Sequence, residues 1–271
     1  MAALSAEERG QYDRDGFVIP AYRLPADRLE RLRATLDRLI ADNPGIRPER
    51  LVSVHIEGRN REGVQGSRDF LDLAMTPDIV DLVADAIGSD IILWGCQIFC
   101  KPGGDGLEVP WHQDGHYWPI RPLATCTVWL ALDPSTRENG CMRVIPGSHA
   151  ARRLHPHMTE DRRDLVLNQR IDALAFDPTE AIDIELEPGQ MSLHDVHMIH
   201  GSNPNRSPKR RAGVAIRYMP ATSVFERDLI KPGDASGYTV DFASRPLWLL
   251  RGRDRTGRND FRIGHQPAAA E

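Results

Sequence analysis

Residues 111–118 read Trp-His-Gln-Asp-Gly-His-Tyr-Trp and place an imidazole two positions before a carboxylate. In an extended strand, residues i and i+2 point to the same face. We therefore expect His112 and Asp114 to present one nitrogen and one oxygen to a single ion, while Gln113 faces away. Because two ligands hold a metal only loosely, this segment predicts a third ligand from elsewhere in the chain.

The best candidates for that third ligand lie in residues 194–202, which read His-Asp-Val-His-Met-Ile-His-Gly-Ser. On a strand, His194 and His200 would share a face and His197 would oppose them. We favour His200 because it precedes Gly-Ser and stands at a suitable distance from Arg211, which leaves His194 as a core histidine or one that tunes the site. Two histidines and a carboxylate on one side of an ion form the facial triad of non-haem Fe(II) oxygenases. This arrangement leaves the coordination positions on the opposite side of the ion open.

Arg211 follows His200 by eleven residues and stands at the start of the next predicted strand. The segment between them, 203–208, is rich in Asn, Pro and Ser and predicts a turn. A hairpin there would return Arg211 to the metal. If the co-substrate is 2-oxoglutarate, its distal carboxylate needs a fixed cation, and arginine offers a bidentate fork for it. The alternative is a solvated charge, which is the expectation for Lys209 and Arg210.

Helical patterns come early in the chain. A capping box that begins at Ser5 predicts a short helix to about Tyr12. Leucines at helical spacing predict a longer helix over 25–42. A third helix is expected from Pro77 to about Ile87, with Thr76 as its N-cap and Gly88 ending it. The polar, glycine-rich run 60–67 predicts a loop.

From residue 90 the pattern changes to the short apolar or alternating runs that are typical of strands. Such runs cover 91–100, 125–132, 141–146, 182–186, 190–193 and 212–218, with shorter ones at 17–20, 51–56 and 247–250, the last expected to dock back on the domain. The segment 150–177 interrupts them, and we expect it to be partly helical and to hang over one mouth of a barrel.

This order of elements predicts an α+β fold with a mainly β core, a sandwich or barrel of antiparallel strands behind N-terminal helices. We expect one domain over 1–271. Its parts would be a mainly helical flank over 1–89, the strand core over 90–220 and a C-terminal extension over 221–271.

The composition excludes several classes of protein. The 271 residues are 41% hydrophobic and 27% charged, which is typical of a soluble globular protein. The net charge of −5 argues against a general nucleic-acid binder, and no apolar run is long enough to cross a bilayer. The N-terminus lacks the features of a signal peptide. We therefore expect a cytoplasmic monomer or homodimer that acts on a small molecule, without nucleic acid or membrane as partners.

The four cysteines show no CxxC pair and lie mostly in strand-like runs, so we interpret them as buried thiols of a reducing compartment, which also suits Fe(II). They are Cys96, Cys100, Cys126 and Cys141.

Three segments carry a resemblance to a known family: WHQDGHYWPIRP at 111–122, ENGCMRVIPGSH at 138–149 and IHGSNPNRSPKRR at 199–211. The region from Trp94 to Tyr218 resembles the phytanoyl-CoA dioxygenase family of Fe(II)/2-oxoglutarate oxygenases. The resemblance implies a double-stranded β-helix, also called a jelly roll or cupin-like fold, flanked by N-terminal helices. It also implies functional residues: iron ligands at His112, Asp114 and His200, 2-oxoglutarate at Arg211, and further co-substrate contacts at Gln97, Trp129 and Ser202.

The implied reaction uses Fe(II), 2-oxoglutarate and O2 to hydroxylate an unactivated C–H bond of a small organic substrate, with release of succinate and CO2. The favoured substrate is a small anionic metabolite, such as an aminoalkylphosphonate or an amino-acid derivative. The alternatives are another outcome of the same oxidative chemistry (desaturation, cyclisation or epimerisation), acyl-CoA hydroxylation, and a metal-binding jelly-roll sensor without turnover. Halogenation is disfavoured because the metal carboxylate Asp114 is present.

Several other polar and aromatic side chains are candidates for the substrate pocket. His116, Tyr117 and Trp118 are expected either to line that pocket or to pack the mouth of the barrel. Three further arginines would suit a substrate anion, although a surface ion pair is the favoured interpretation of each: Arg121, Arg143 and Arg217. Three histidines in or near the insertion are expected to be solvated: His149, His155 and His157.

Overall fold

The computed structural model describes residues 2–229 and 240–265, and strands dominate them. The α-helices of the described chain are α1 (Ala6–Asp15), α2 (Ala26–Asp42), α3 (Arg68–Ala74) and α4 (Pro77–Ile87). Its strands are β1 (Phe17–Val18), β2 (Leu51–Val52), β3 (Gly58–Arg59), β4 (Gln65–Gly66), β5 (Ile91–Lys101), β6 (Val109–His112), β7 (Ile120–Arg121), β8 (Cys126–Ala131), β9 (Met142–Val144), β10 (His157–Thr159), β11 (Gln169–Ile171), β12 (Ile182–Ile184), β13 (Met191–Asp195), β14 (His200–Ser202), β15 (Arg211–Pro220), β16 (Val224–Phe225) and β17 (Trp248–Arg251). Parts of the predicted C-terminal extension, 230–239 and 266–271, lie outside the described residues.

Two antiparallel sheets build the core. The larger has the order β1-β13-β8-β15-β5-β17, with β2 also paired to β5. The smaller has the order β12-β9-β14-β6. Apolar side chains of the two sheets pack together between them, among them Trp129 and Ala215 from the larger and Val144 and Ile184 from the smaller. The jelly-roll core with N-terminal helices is therefore confirmed.

Alternation along the strands determines which side chains of the larger sheet face the helices and which face the smaller sheet. On β8, Val128 and Leu130 join the apolar cluster formed with the helices, whereas Trp129 between them packs toward the smaller sheet. On β15, Val214 and Ile216 likewise belong to the helical side. Since successive side chains point to opposite faces, the odd-numbered residues of β15 are left to face the interior between the sheets.

The first helix begins where predicted but continues three residues beyond Tyr12, to Asp15. The Ser5 hydroxyl accepts from the Glu8 amide and the Glu8 carboxylate accepts from the Ser5 amide, which completes the capping box. The helix ends at Gly16, whose φ of 80° is left-handed. By contrast, α3 was not predicted, since it is only two turns long and follows a polar loop.

Two predictions of local structure were wrong. The strand expected over 51–56 stops after Val52, because Ser53 takes a φ of 57° and the Ile56 amide donates to the Ser53 carbonyl in a turn. The insertion 150–177 contains no α-helix; it holds the β10–β11 hairpin and a single 3-10 turn. Several of its apolar residues are buried against the strand core instead of forming a helical stripe, as Val166 beside Val109 illustrates, whereas Met158 and Leu174 are exposed.

Two further predictions agree with the structure. β17 pairs with β5, so the 247–250 segment does dock back on the sheet. All four cysteines are buried free thiols, and burial raises the pKa of Cys96 and of Cys126 to about 12. Among residues 2–229 and 240–265, no helix has the length and apolar character that a bilayer span requires.

Candidate metal and co-substrate site

Three potential metal ligands meet between the two sheets. His112 ends β6, and His200 begins β14 directly opposite it in the antiparallel register. Their Nε2 atoms lie 3.5 and 4.0 Å from Oδ1 of Asp114. One ligand atom from each residue lies within 4.8 Å of the others, and all three side chains are buried. Asp114 reaches this position from a 3-10 turn rather than from the strand itself.

The hydrogen bonds of both imidazoles favour metal binding. The ring Nδ1 of His112 lies 2.9 Å from the Pro110 carbonyl, and that of His200 lies 3.0 Å from the Met198 carbonyl. A carbonyl can only accept, so each Nδ1 carries a proton, and Nε2 is the ring nitrogen that each histidine has left for a metal. Burial, and then the nearby His112, lower the pKa of His200 well below its usual range. His200 is therefore readily neutral, as a histidine ligand of a divalent cation must be.

Asp114 supplies the negative charge of the cluster. Burial by itself would raise its pKa, but the imidazoles of His112 and His194 hold it well below its usual value. The hydroxyl of Thr127 also donates to its Oδ2 at 3.5 Å. A carboxylate beside two imidazoles is the donor set of a facial triad. The residues present therefore fit Fe(II).

The other two candidate histidines occupy different places. His194 lies on β13 with Nε2 3.7 Å from Oδ2 of Asp114, and it lines the same cavity. It therefore contacts the ligand carboxylate from the side away from His112. His197 turns away from the cluster, as predicted, and pairs with Asp195 at 3.1 Å. The reason differs from the prediction, because residues 196–199 form a turn between β13 and β14 instead of one continuous strand.

Gln113 faces away from the triad, as expected, and is completely buried. Its amide nitrogen donates to the carbonyls of His197 and Arg153, and its amide oxygen accepts from the backbone of His155. These bonds tie the insertion to the segment that carries the first two ligands.

Arg211 lies in the same cavity and is buried. Its guanidinium donates to the carbonyls of Phe99 at 3.3 Å and Gly140 at 2.9 Å, and it packs over the Trp129 ring with a centroid distance of 5.1 Å. Its Nε has no partner, and no carboxylate of the described chain pairs with it. Burial lowers its pKa to about 10. A buried cation without an anion is costly, so this position fits the distal carboxylate of 2-oxoglutarate.

The Trp129 ring that packs against Arg211 can lie where it does because residue 213 is a glycine. A Cβ at Gly213 would come within 2.1 Å of the Trp129 ring. Glycine therefore lets Trp129 lie close to β15, where it faces the guanidinium. This places Trp129, which the resemblance implied as a co-substrate contact, on the wall of the cavity.

Ser202 also lines the cavity, and a lysine that the sequence analysis missed lies behind it. The buried Lys101 ammonium donates to Ser202 Oγ at 2.7 Å and to the Asn203 carbonyl. Burial, and then repulsion by Arg211, lower the pKa of Lys101 well below its usual value. Strand alternation could have indicated this lysine, because Lys101 is four residues from Gln97 on β5 and its side chain therefore lies on the same face of the strand.

The remaining candidates are distributed differently from expectation. Gln97 lies beside the cavity, where its side-chain oxygen accepts from Arg217 at 3.1 Å. His116 ends the 3-10 turn that carries Asp114, and Tyr117 and Trp118 follow it, but none of the three is among the residues that line the cavity next to the metal ligands. His116 stacks on His157 at 3.9 Å, and Trp118 is buried against Trp94 at 4.6 Å.

Several expectations about charged or solvated side chains were wrong. His149 is buried, His155 is half-buried, and His157 is half-buried beneath His116. Arg217 is not a surface ion pair, because it lines the cavity. Arg143 does form its expected ion pair, with Asp183 at 3.3 Å.

Comparison with known proteins agrees with this geometry. A family model described as phytanoyl-CoA dioxygenase (PhyH) matches residues 12–213. A probable phytanoyl-CoA dioxygenase of Caenorhabditis elegans is 27% identical, over 94% of this chain and 94% of that protein. A probable alpha-ketoglutarate-dependent hypophosphite dioxygenase of Stutzerimonas stutzeri is 33% identical, over 56% of this chain and 54% of that protein.

Among solved structures, the apo form of ThoJ, described as a non-heme monooxygenase, superposes with a TM-score of 0.69 at 25% identity. The match covers 91% of this chain and 84% of that one. Since the family model spans well over half of the 271 residues, the chain belongs to the phytanoyl-CoA dioxygenase family.

Proposed function

We propose that this protein is a non-haem Fe(II) dioxygenase that uses 2-oxoglutarate and O2 to hydroxylate a C–H bond of a small organic substrate, with release of succinate and CO2. The observation that carries the proposal is the pairing of two features in one cavity. One is the His112–Asp114–His200 cluster, and the other is the buried, anion-free Arg211.

The proposed role of each residue follows from its contacts. His112, Asp114 and His200 hold the metal on one side, since their donor atoms converge and their other polar atoms are occupied. Arg211 orients the co-substrate through its distal carboxylate. When bound, Fe(II) with 2-oxoglutarate and O2 supplies the oxidising power that breaks an unactivated C–H bond.

The surrounding side chains position the reactants and exclude water. Trp129, Phe99 and Val109 line the cavity with apolar surface around the polar groups. Ser202 lines the cavity with Arg211, and its Oγ accepts from Lys101, which leaves the hydroxyl hydrogen for an acceptor. A dry, preorganised site of this kind strengthens the electrostatic contacts that orient a charged co-substrate.

Hydroxylation is favoured over halogenation because Asp114 occupies the carboxylate position of the triad. Desaturation, cyclisation and epimerisation use the same ligands, and the choice among them depends on how a substrate lies in the cavity. A metal-binding sensor without turnover is the non-enzyme alternative. Such a protein would have no use for Arg211, whose burial without an anion is unfavourable. Cytoplasmic location and a monomeric or homodimeric state stay predictions.

Anaerobic titration tests the proposal. With Fe(II) and 2-oxoglutarate together, the protein should develop a weak visible charge-transfer band that neither component produces alone, and O2 should then release succinate. A Zn(II)-loaded sample is the matched control and should show no band. An Fe(II)-binding protein that gives neither the band nor succinate would instead be the sensor.

A further inference from the structure

Arg217 lies on the same face of β15 as Arg211 and lines the same cavity as the metal ligands. The two arginines are six residues apart, so at ~3.3 Å per residue their Cα atoms are separated by roughly 20 Å. In the β5–β15 and β8–β15 registers, Arg217 stands opposite Gly95 and Thr127. Thr127 in turn contacts Asp114. Arg217 therefore borders the metal cluster at the end of the cavity away from Arg211.

The guanidinium of Arg217 is held in place without being neutralised. Its Nη2 donates to Oε1 of Gln97 at 3.1 Å. It packs against the rings of Trp118 and Trp94, with centroid distances of 5.2 and 5.8 Å. Neither an amide oxygen nor an aromatic ring carries a negative charge, so these contacts orient the cation without pairing it. The Asp114 carboxylate interacts with Arg217 electrostatically but does not form an ion pair with it.

Hydrogen-bond donors around Arg217 also lack acceptors. The Nε of Arg217 and the indole nitrogen of Trp94 are buried without a hydrogen-bond partner in the described chain. No Asp or Glu oxygen of residues 2–229 and 240–265 lies within ion-pair distance of Arg217. Buried donors without acceptors cost free energy, so this corner of the cavity suits an anionic ligand.

In the proposed function, each carboxylate in the cavity already has a positively charged partner other than Arg217. Asp114 is the carboxylate among the cavity-lining residues, and its charge would be directed to the metal. One carboxylate of 2-oxoglutarate would pair with Arg211, and the other would lie on the metal. Arg217 would then remain as a cation without a counter-ion.

We propose that Arg217, oriented by Gln97 and the Trp94–Trp118 pair, binds an anionic group of the primary substrate. The substrate class is therefore a small organic acid whose carboxylate or phosphonate is held by this guanidinium. A fixed anion at that point determines which carbon lies nearest the metal. This inference rests on the proposed function, which supplies the metal and the co-substrate.

The experiment compares acids with their neutral counterparts. The probes are butanoate with butanamide, 4-aminobutanoate with 4-aminobutanamide, and propylphosphonate with its dimethyl ester. Each is added anaerobically to the Fe(II)–2-oxoglutarate complex, and the shift of the visible band gives the dissociation constant. We expect one or more acids to shift the band, with the neutral counterpart binding at least about tenfold more weakly.

Variants of Arg217 then test whether the anionic group of the probe binds at this residue. Arg217→Gln should weaken binding of the responding acid at least about tenfold, and Arg217→Lys, which keeps the charge but not the fork, should retain part of it. Arg206→Gln, on an exposed turn, is the control and should leave binding unchanged. Circular dichroism and thermal unfolding check that the Arg217 variants are folded.

The outcomes separate the two proposals. A wild-type protein without the Fe(II)–2-oxoglutarate band would contradict the proposed function itself. If the band is present, the inference about Arg217 is overturned by equal responses to acids and neutral counterparts, or by no response to any acid. It is also overturned if Arg217→Gln weakens 2-oxoglutarate binding tenfold in the absence of a probe, because Arg217 would then serve the co-substrate.

Discussion

His112 and His200 lie directly opposite each other on neighbouring antiparallel strands, with ring centroids 4.1 Å apart. This pairing brings together residues that are 88 positions apart in sequence. Because cross-strand neighbours on one face have closely spaced side chains, the strand register alone sets the separation of the two imidazoles. The geometry of the proposed metal site is thus built into the smaller sheet.

The first prediction compares two histidines of one segment. His200→Ala should weaken Fe(II) binding more than about 100-fold, since loss even of an outer partner of a ligand costs 10–100-fold. His197→Ala should keep its metal, because His197 pairs with Asp195. Anaerobic metal titration measures both. Full Fe(II) binding by the His200 variant would remove this residue from the site.

The second prediction concerns the proposed co-substrate anchor. Arg211→Gln should raise the dissociation constant for 2-oxoglutarate by about 100-fold, the effect of losing a buried, charge-assisted pair. Fe(II) should remain bound, because the Arg211 guanidinium donates to the carbonyls of Phe99 and Gly140 and to none of the three metal ligands. Calorimetry with Mn(II) in place of Fe(II) provides the measurement. An unchanged constant would mean that the anchor lies elsewhere.

The third prediction tests the link between Lys101 and Ser202. Since Ser202 Oγ accepts from the Lys101 ammonium, the hydroxyl hydrogen is available to a co-substrate oxygen. Lys101→Met and Ser202→Ala should each weaken 2-oxoglutarate binding by about tenfold, and the double variant should lose little more. Independent, additive losses would show that Lys101 does not act through Ser202.

The fourth prediction uses two glycines. Gly213→Ala would place a methyl group 2.1 Å from the Trp129 ring, so it should lower the free energy of unfolding by about 1–3 kcal/mol. It should also weaken 2-oxoglutarate binding, since Trp129 supports Arg211. Gly10→Ala is the control, because no atom lies near its Cβ position.

Gly10 lies inside helix α1. Gly10→Ala should therefore raise the free energy of unfolding by about 0.5–1 kcal/mol, because alanine is favoured over glycine in a helix interior. Urea denaturation compares the two variants. Equal stability of wild type and the Gly213 variant would show that Trp129 can move away from β15 at no cost.

The sequence by itself determined the parts of the protein that depend on local spacing. Local spacing put Gln113 on the side away from the metal cluster and separated His200 from His197, although Asp114 lies in a 3-10 turn and 196–199 form a turn instead of a strand. The capping box places the start of α1, and apolar runs indicate the strands of the core. Side-chain direction in these cases follows from backbone geometry over a few residues, so no knowledge of distant partners is needed.

Only the tertiary structure decided which charged side chains are enclosed. Arg143 and Arg217 look alike in sequence, yet one pairs with Asp183 and the other lines the cavity. Lys101 is buried because β14 passes beside it, and Val166 belongs to a hairpin segment because the strand core offers it an apolar surface. Alternation assigns a residue to a face, but the chain segments that cover that face come from far away in sequence, and they determine whether a charge meets water, a carboxylate or a buried site.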